Sequence, residues 1–293
     1  MYRHVQHLLR NGVQASIVHN DPSFKPAWFG ADVPTQYLKN QPTISSGDVL
    51  VVPEVHVSWL KTIKQIPARK IVLCQNHFLI YEGLKDARSW QELGVSHAVA
   101  TSEIIANFIN TVMAFPDASL VHLGIDHNLF RPAPIKKRQI ACMPRKMPGA
   151  FQFIRKTYER LAGADALPFA IIENMSEQDA ARVLSESSIF LSLSWLEGFG
   201  LPPVEAMASG CTVVGFHGNG GREYATEQNG FWCEGDDWEA VARALHRVTG
   251  LVMSGDSQIA RMTEAGIRTA ARYSFANEEK DLLDFARKIS GRP

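Results

Sequence analysis

The chain has 293 residues, enough for two domains that each bury a core of their own. Its 30 lysine and arginine residues equal its 30 aspartate and glutamate residues, so overall charge favours neither nucleic acid nor an anionic membrane as a partner. No apolar run approaches the roughly 18 residues of a membrane-spanning helix, and the N-terminal residues lack the apolar region of a signal peptide. We expect a cytoplasmic protein, with peripheral membrane contact left open.

The predicted elements begin with an amphipathic helix over Tyr2–Arg10. After it, short β-branched runs alternate with longer segments of helical periodicity, which predicts parallel sheets with crossover helices. The predicted strands are 15–18, 48–52, 70–74, 98–101, 120–123, 140–143, 169–172, 189–193 and 212–216. A second helix is predicted to begin near Pro202, since proline is well tolerated at the start of a helix.

A domain break is predicted near 128–134, where Pro132 and Pro134 precede a basic stretch. The strands on either side then form two Rossmann-like, doubly wound domains, 1–133 and 134–275. In such sheets ligands bind at the carboxyl ends of the strands, so we expect a ligand in a cleft that the two domains face.

The four cysteines show no close pairing, and each lies in or beside an apolar run. They are Cys74, Cys142, Cys211 and Cys233. Buried free thiols in a reducing compartment are the simplest interpretation.

The segment 197–205 is the most informative in the chain. Glycines bracket a turn that enters a predicted helix, and Glu197 and Glu205 stand at its two ends. Free backbone N–H groups at such a loop favour an anionic ligand, whereas carboxylates accept hydrogen bonds from hydroxyl groups. A ligand with both phosphate and polyol parts is a nucleotide sugar.

Two further segments fit phosphate chemistry less specifically. The loop 218–223 follows a predicted strand, and its three glycines permit a backbone nest for phosphate, although a glycine-rich strand exit is more often only a turn. Arg145 and Lys146 follow the strand 140–143, where they could neutralise a diphosphate or form an ordinary solvated basic loop.

Histidines supply the remaining candidates. His77 follows the strand 70–74, and His56 follows the preceding strand and competes with it for a role in a site. His4 and His7 share one helix face, which we interpret as a solvated face and not as a metal pair. Apolar side chains around Trp59, Phe78 and Tyr81 either line an acceptor groove or, more commonly for such residues, belong to the core.

The run 194–210 resembles the donor-site signature of retaining GT-B glycosyltransferases of the family-4 type, also called glycosyl transferases group 1. That family separates its two glutamates by seven residues, as this chain does. The resemblance is dense over 189–223 and looser elsewhere. It implies a GT-B fold and a C-terminal helix, 276–293, that packs back toward the first domain.

The resemblance also implies roles. Glu205 would hold the ribose hydroxyls, and Glu197 with the backbone of Gly198, Phe199, Gly200 and Leu201 would contact the donor sugar and phosphate. Gly220 and Gly221 match the family's second phosphate loop. His77 would hydrogen-bond a sugar hydroxyl or the acceptor. The family carries an arginine and a lysine about a turn and a half apart, whereas Arg145 and Lys146 are adjacent, so one of them fills that role and Arg145 is favoured.

The expected activity is therefore a retaining, hexosyltransferase-like transfer in polysaccharide biosynthesis, without a metal or other cofactor, since no Asp-X-Asp motif is present. The partners are a nucleotide-sugar donor and an acceptor that is a glycan, lipid or metabolite. Base, sugar and oligomeric state are left open.

The first domain departs from the family pattern, because the family places a strand and a glycine-rich loop before the equivalent of the Tyr2–Arg10 helix. Either the chain starts late or was shortened, or the protein has lost part of its acceptor side. The last case motivates an alternative function: a catalytically impaired nucleotide-sugar-binding partner or regulatory subunit with the same fold.

Overall fold

A computed structural model describes residues 1–24, 29, 32–115 and 118–290. The chain divides into two compact units, Met1–His122 with Ala276–Pro293 and Leu123–Phe275. Each unit contains parallel β-sheet with helices, which confirms the predicted α/β, Rossmann-like class.

The first unit opens with the predicted helix, and its described residues form two parallel sheets. The helices are α1 (Tyr2–Arg10), α2 (Ile80–Leu84) and α3 (Glu103–Thr111), and the strands are β1 (Ile17–His19), β2 (Thr35–Tyr37), β3 (Val49–Pro53), β4 (Arg69–Cys74), β5 (Val95–Ala100) and β6 (Ser119–Leu120). β1 pairs with β2, and the other four strands form a sheet in the order β3-β4-β5-β6. Ser102 caps α3 by accepting a hydrogen bond from the Ile105 N–H at 3.3 Å.

The second unit is a five-stranded parallel sheet with helices on both faces. Its strands are β7 (Lys137–Cys142), β8 (Phe169–Ile171), β9 (Ser187–Glu197), β10 (Thr212–Asn219) and β11 (Gly230–Cys233), and its helices are α4 (Pro148–Ala162), α5 (Glu177–Glu186), α6 (Leu201–Ala208), α7 (Trp238–Ser254) and α8 (Ser257–Ala270). The strand order is β11-β10-β9-β7-β8. Two hydrophobic clusters enclose this sheet, which makes its central strands buried on both faces.

The last helix, α9 (Phe275–Ser290), packs on the first unit. Leu282 and Phe285 join Ile71 and Val121 in one buried cluster. The helix also covers α1, which corrects the interpretation of His4 and His7: the two rings are only 8% and 1% exposed, because both face Glu278 of α9.

The division between the units falls before Leu123, eleven residues ahead of the boundary before residue 134 that the prolines predict. Ile125 and Phe130 belong to the core of the second unit, and Ile125 bridges Ser274. Gly124 lies so close to the Ser274 backbone that a Cβ atom would come within 2.6 Å of its carbonyl oxygen. The prolines therefore follow a segment that is already packed.

All four cysteines are free thiols; three are buried, and Cys233 is half-buried. Burial raises the pKa of Cys211 and of Cys233 to about 11, so both stay protonated at neutral pH. In the described part of the chain, no helix is long and apolar enough to cross a membrane.

Candidate functional site

The strand order of the second unit creates a switch point between β7 and β9. β8 lies on one side of β7 and the later strands lie on the other, so the loops leaving β7 and β9 run to opposite faces of the sheet. Ligands of doubly wound sheets bind at the carboxyl ends of the strands at such a point. The loop that carries Arg145 and Lys146 follows β7, and the turn that begins at Glu197 follows β9.

Lys146 and Glu197 meet across this switch point. The Lys146 Nζ donates a hydrogen bond to Glu197 Oε1, and the two side chains form an ion pair. The Glu197 side chain is 17% exposed and that of Lys146 is 49% exposed, so solvent reaches the cation more than the carboxylate. Arg145 is exposed beside them. The structure therefore brings Lys146, the less favoured of the two predicted cations, into contact with the predicted carboxylate.

The turn 198–200 is held in place by its own aromatic residue. Phe199 is 2% exposed and packs edge-on against Tyr224 and Tyr273, with ring centroids 5.3 and 4.9 Å apart. Gly200 follows with φ at +88°, a conformation that favours glycine, and it is the N-cap of α6. The buried ring thus fixes a turn whose backbone leads directly to a helix N-terminus.

The second predicted loop touches the first. A Cβ atom on Gly220 would lie 2.4 Å from the Gly198 carbonyl oxygen, so only glycine fits there. The Tyr224 hydroxyl donates a hydrogen bond to the Gly200 carbonyl at 2.8 Å and lies 3.0 Å from the Cβ position of Gly221. Spacing along the chain does not single out Tyr224, because its importance comes from a contact between two separate loops.

His217, at the end of β10, is a second residue that sequence reasoning missed. Its Nδ1 accepts a hydrogen bond from the Asn219 N–H at 3.1 Å. The pairing of β10 with β9 shifts between these two residues, and Asn219 then pairs with Glu197. The signal available in the sequence was a histidine directly before a glycine-rich loop.

Leu201 and Glu205 lie on α6, which starts one residue before the predicted position. Leu201 is its first residue, and the two prolines follow. Leu201 and Glu205 are half-buried, whereas Val204 and Ala206 on either side of Glu205 are fully buried. Glu205 therefore stands on the partly solvated stripe of a helix whose other face is core.

In the first unit, His77 lies just beyond the carboxyl end of β4. It is 6% exposed and opens the short 3₁₀ helix His77–Leu79, and burial lowers the pKa of its imidazole. The loop before it is fixed by Glu54, whose carboxylate accepts hydrogen bonds from the Gln75 and Asn76 N–H groups at 3.2 and 2.9 Å. His56, the competing candidate, is exposed in the 3₁₀ helix Glu54–Ile63.

Aromatic side chains surround His77. Its ring lies 4.2 Å from that of Phe78 and 5.1 Å from that of Phe108, measured between centroids. Phe78 and Tyr81 are 40% and 58% exposed and therefore do not belong to the core. Trp59, in contrast, packs against the core. Glu54 and this aromatic face are features of packing that spacing in the sequence does not reveal.

Comparison with known proteins identifies the second unit. Residues 166–266 match the family described as Glycosyl transferases group 1. The second unit carries a glycosyl transferases group 1 domain. An alpha-1,6-glucosyltransferase from Actinobacillus pleuropneumoniae is 29% identical over 222 residues, which cover 73% of this chain and 67% of that enzyme.

Solved structures agree on the architecture. A glycosyltransferase from Rickettsia africae has a TM-score of 0.74 at 13% identity, over 98% of this chain and 93% of that one. Anabaena HepE in complex with UDP-glucose has a TM-score of 0.62 at 14% identity, over 82% of this chain and 79% of that one. These TM-scores show a shared GT-B fold.

Within the glycosyl transferases group 1 domain, the matched region holds both glutamates and both glycine loops. Lys146 precedes that region, and His77 lies in the other unit. In the described residues, no three His, Cys, Asp or Glu side chains form a group that could hold a metal ion. Independence of metals stays a prediction.

Proposed function

We propose that this glycosyltransferase moves a glucosyl group from UDP-glucose to a hydroxyl group of a saccharide acceptor, with retention of anomeric configuration and without a metal. The contact between Lys146 and Glu197 at the β7/β9 switch point carries the proposal. A cation and a carboxylate held together there, beside two glycine loops, match a ligand that has both phosphate and hydroxyl groups.

The cation serves the leaving group. As the glycosidic bond breaks, negative charge grows on the β-phosphate of UDP, and a fixed ammonium group stabilises that charge. Lys146 is held at the end of β7 by Glu197 and is half-exposed, so it can reach an incoming diphosphate without first being pulled out of the core. Arg145 is the second cation of the same loop and would add to the electrostatic stabilisation of the departing diphosphate.

The remaining contacts bind the donor. Glu205 accepts hydrogen bonds from the ribose hydroxyls, and Glu197 accepts them from the glucosyl hydroxyls. The backbone of Gly198–Leu201 and of Gly220 and Gly221 surrounds the phosphates, because glycine lets the chain approach an anion closely. The Tyr224 hydrogen bond to Gly200 keeps one loop registered against the other.

In the transfer step, the bond between the anomeric carbon and the phosphate oxygen breaks, and a bond to the acceptor oxygen forms on the same face of the sugar. The acceptor hydroxyl proton passes to the departing phosphate oxygen, so no protein carboxylate is needed as a nucleophile. His77 hydrogen-bonds a hydroxyl of the donor sugar or the acceptor, and its lowered pKa keeps it neutral at pH 7.

Two relatives support the choice of donor and acceptor. The Actinobacillus enzyme is named as an alpha-1,6-glucosyltransferase, which implies transfer to a primary sugar hydroxyl. HepE was solved with UDP-glucose. A saccharide is therefore the acceptor we favour over a lipid or a metabolite.

The test is a transfer reaction with UDP-glucose and a panel of glucose-containing oligosaccharides, followed by proton NMR of the product. We expect a new α-linked glucosyl group on a primary hydroxyl, formed equally well with and without EDTA. A β-linked product would contradict retention, and loss of activity in EDTA would contradict metal independence. Binding of UDP-glucose without transfer to any acceptor would favour the nucleotide-sugar-binding partner instead.

A further inference from the structure

The turn between β10 and the second glycine loop is built around a strained residue. Asn219 has φ at +68° and ψ at −61°, close to the rare γ-turn conformation that side chains disfavour. Such a conformation persists only where the surroundings determine it strongly. Three contacts hold Asn219 in this conformation. They are its strand pairing with Glu197 on β9, the close packing of Gly220 against Gly198, and its hydrogen bond to His217.

The hydrogen bond to His217 is the one contact of the three that depends on protonation. The Asn219 N–H donates to His217 Nδ1, so Nδ1 must carry a lone pair and the neutral ring must hold its proton on Nε2. A protonated imidazolium has N–H groups at both nitrogens and cannot accept. This hydrogen bond therefore requires the neutral form of His217.

We propose that His217 is a positioning residue for the phosphates of the donor, and that its neutral ring holds the Asn219–Gly221 turn in the form that binds them. This rests on the proposed function, in which Gly220 and Gly221 contact the diphosphate. Asn219 pairs with Glu197, so a shift of the turn would also disturb the carboxylate that holds Lys146.

The surroundings of His217 keep it neutral near pH 7. Burial lowers the pKa of its imidazole, and Arg222 on the following turn lowers it further, whereas Glu234 after β11 raises it. Glu197 on β9 lies against the same turn, since its Cγ lies 3.2 Å from the Cβ position of Gly218. As the pH falls below the ordinary histidine range, protonation should release the Asn219 N–H.

Asparagine offers a matched replacement. Its side-chain oxygen readily accepts a hydrogen bond from the N–H two residues further on, the same spacing as His217 to Asn219, but it does not titrate. His217→Asn should therefore keep the turn, and His217→Ala should lose it. The exposed His246 on α7 provides the control variant His246→Ala.

The first measurement is hydrogen–deuterium exchange of the 218–222 backbone in the full chain without nucleotide, at pH 7.5. We expect exchange about tenfold faster in His217→Ala, and wild-type exchange in His217→Asn and His246→Ala. Unchanged exchange in His217→Ala, or failure of asparagine to restore protection, would overturn the inference.

The second measurement is the affinity for UDP by calorimetry at pH 7.5 and 5.5. At pH 7.5 we expect His217→Ala to bind about tenfold more weakly and His217→Asn to bind within about threefold of wild type. Between pH 7.5 and 5.5, the affinity of the wild type for UDP should fall more than that of His217→Asn. The fall in His217→Asn reports only the titration of the UDP phosphates and of the other side chains.

An affinity of the wild type that rises relative to that of His217→Asn at low pH would mean that the imidazolium attracts the phosphate directly, and would overturn the positioning role. If UDP does not bind the wild type while the exchange results hold, the proposed function fails and the donor role of His217 fails with it.

Discussion

At the residue scale, the two adjacent cations of the β7 loop differ in their surroundings. Lys146 is paired with Glu197, and Arg145 is exposed. Because a fixed charge stabilises a leaving group better than a mobile one, we predict that Lys146→Ala lowers kcat about 100-fold. Arg145→Ala, the matched control in the same loop, should lower it less than about fivefold. Steady-state kinetics with UDP-glucose would measure both, and equal losses or a larger loss for Arg145→Ala would contradict the assignment.

Gly220 tests the contact between the two glycine loops. Its Cβ position lies 2.4 Å from the Gly198 carbonyl oxygen, so Gly220→Ala must push the loops apart and should weaken UDP binding at least about tenfold. Gly149, exposed in the first turn of α4 with no atom within 4 Å of its Cβ position, is the control. Gly149→Ala should leave UDP binding unchanged and stabilise the fold by about 0.4–1 kcal/mol. Calorimetry and urea unfolding measure the two effects; normal UDP binding by Gly220→Ala would show that the loops do not act together.

At the element scale, α9 is attached to α1 through a buried carboxylate. Burial alone would raise the pKa of Glu278, but the hydrogen bond from His4, with His7 and Arg3 close by, outweighs burial and lowers it to about 2. The geometry accounts for the lowered pKa of Glu278, since His4 Nε2 lies 3.1 Å from Glu278 Oε1 and can donate a hydrogen bond to it whether or not the ring is charged.

The sign of the pH effect follows from that shift. A carboxyl group whose pKa is lower in the folded state stabilises the fold fully above its unfolded pKa, near 4.5, and this stabilisation is lost as the pH falls toward 2. We predict that Glu278→Gln lowers the free energy of unfolding by on the order of 2 kcal/mol at pH 6, and that the difference from wild type narrows toward pH 3.5. Urea unfolding at several pH values measures this. Asp284→Asn, an exposed position on the same helix, should change little, and an equal effect of both substitutions would contradict the account.

Elements with strong periodicity were predictable. The helix Tyr2–Arg10 was predicted with its observed bounds, and the buried runs that form β4 and β10 were placed within a few residues. Periodicity does not predict β2 and β11, because β2 is three residues long with no fully buried side chain, and β11 begins with a glycine and lies at the sheet edge. The burial of His4 and His7 does not follow from the residues around them, because α9, which buries them, is more than 260 residues away in sequence.

At the scale of the whole molecule, the two units differ in how much their sequence reveals. In the second unit most residues of the proposed donor site lie in one continuous motif, because a glycine turn and a helix N-terminus must follow each other to surround a phosphate. The contacts that complete it, from Lys146, His217 and Tyr224, join separate loops and needed the structure. In the first unit, the aromatic side chains near His77 come together through packing and not through their spacing along the chain.

In the proposed function, the nucleotide of the donor binds at the carboxyl edge of the second unit's sheet. The most direct test is thermal stabilisation of the full chain by UDP-, GDP-, ADP- and dTDP-sugars, since a ligand of the folded state raises Tm. We predict a rise with UDP-glucose that disappears in Glu205→Ala and persists in Glu227→Ala, an exposed glutamate of the same unit. No rise with any nucleotide sugar, or an equal rise in Glu205→Ala, would contradict the claim.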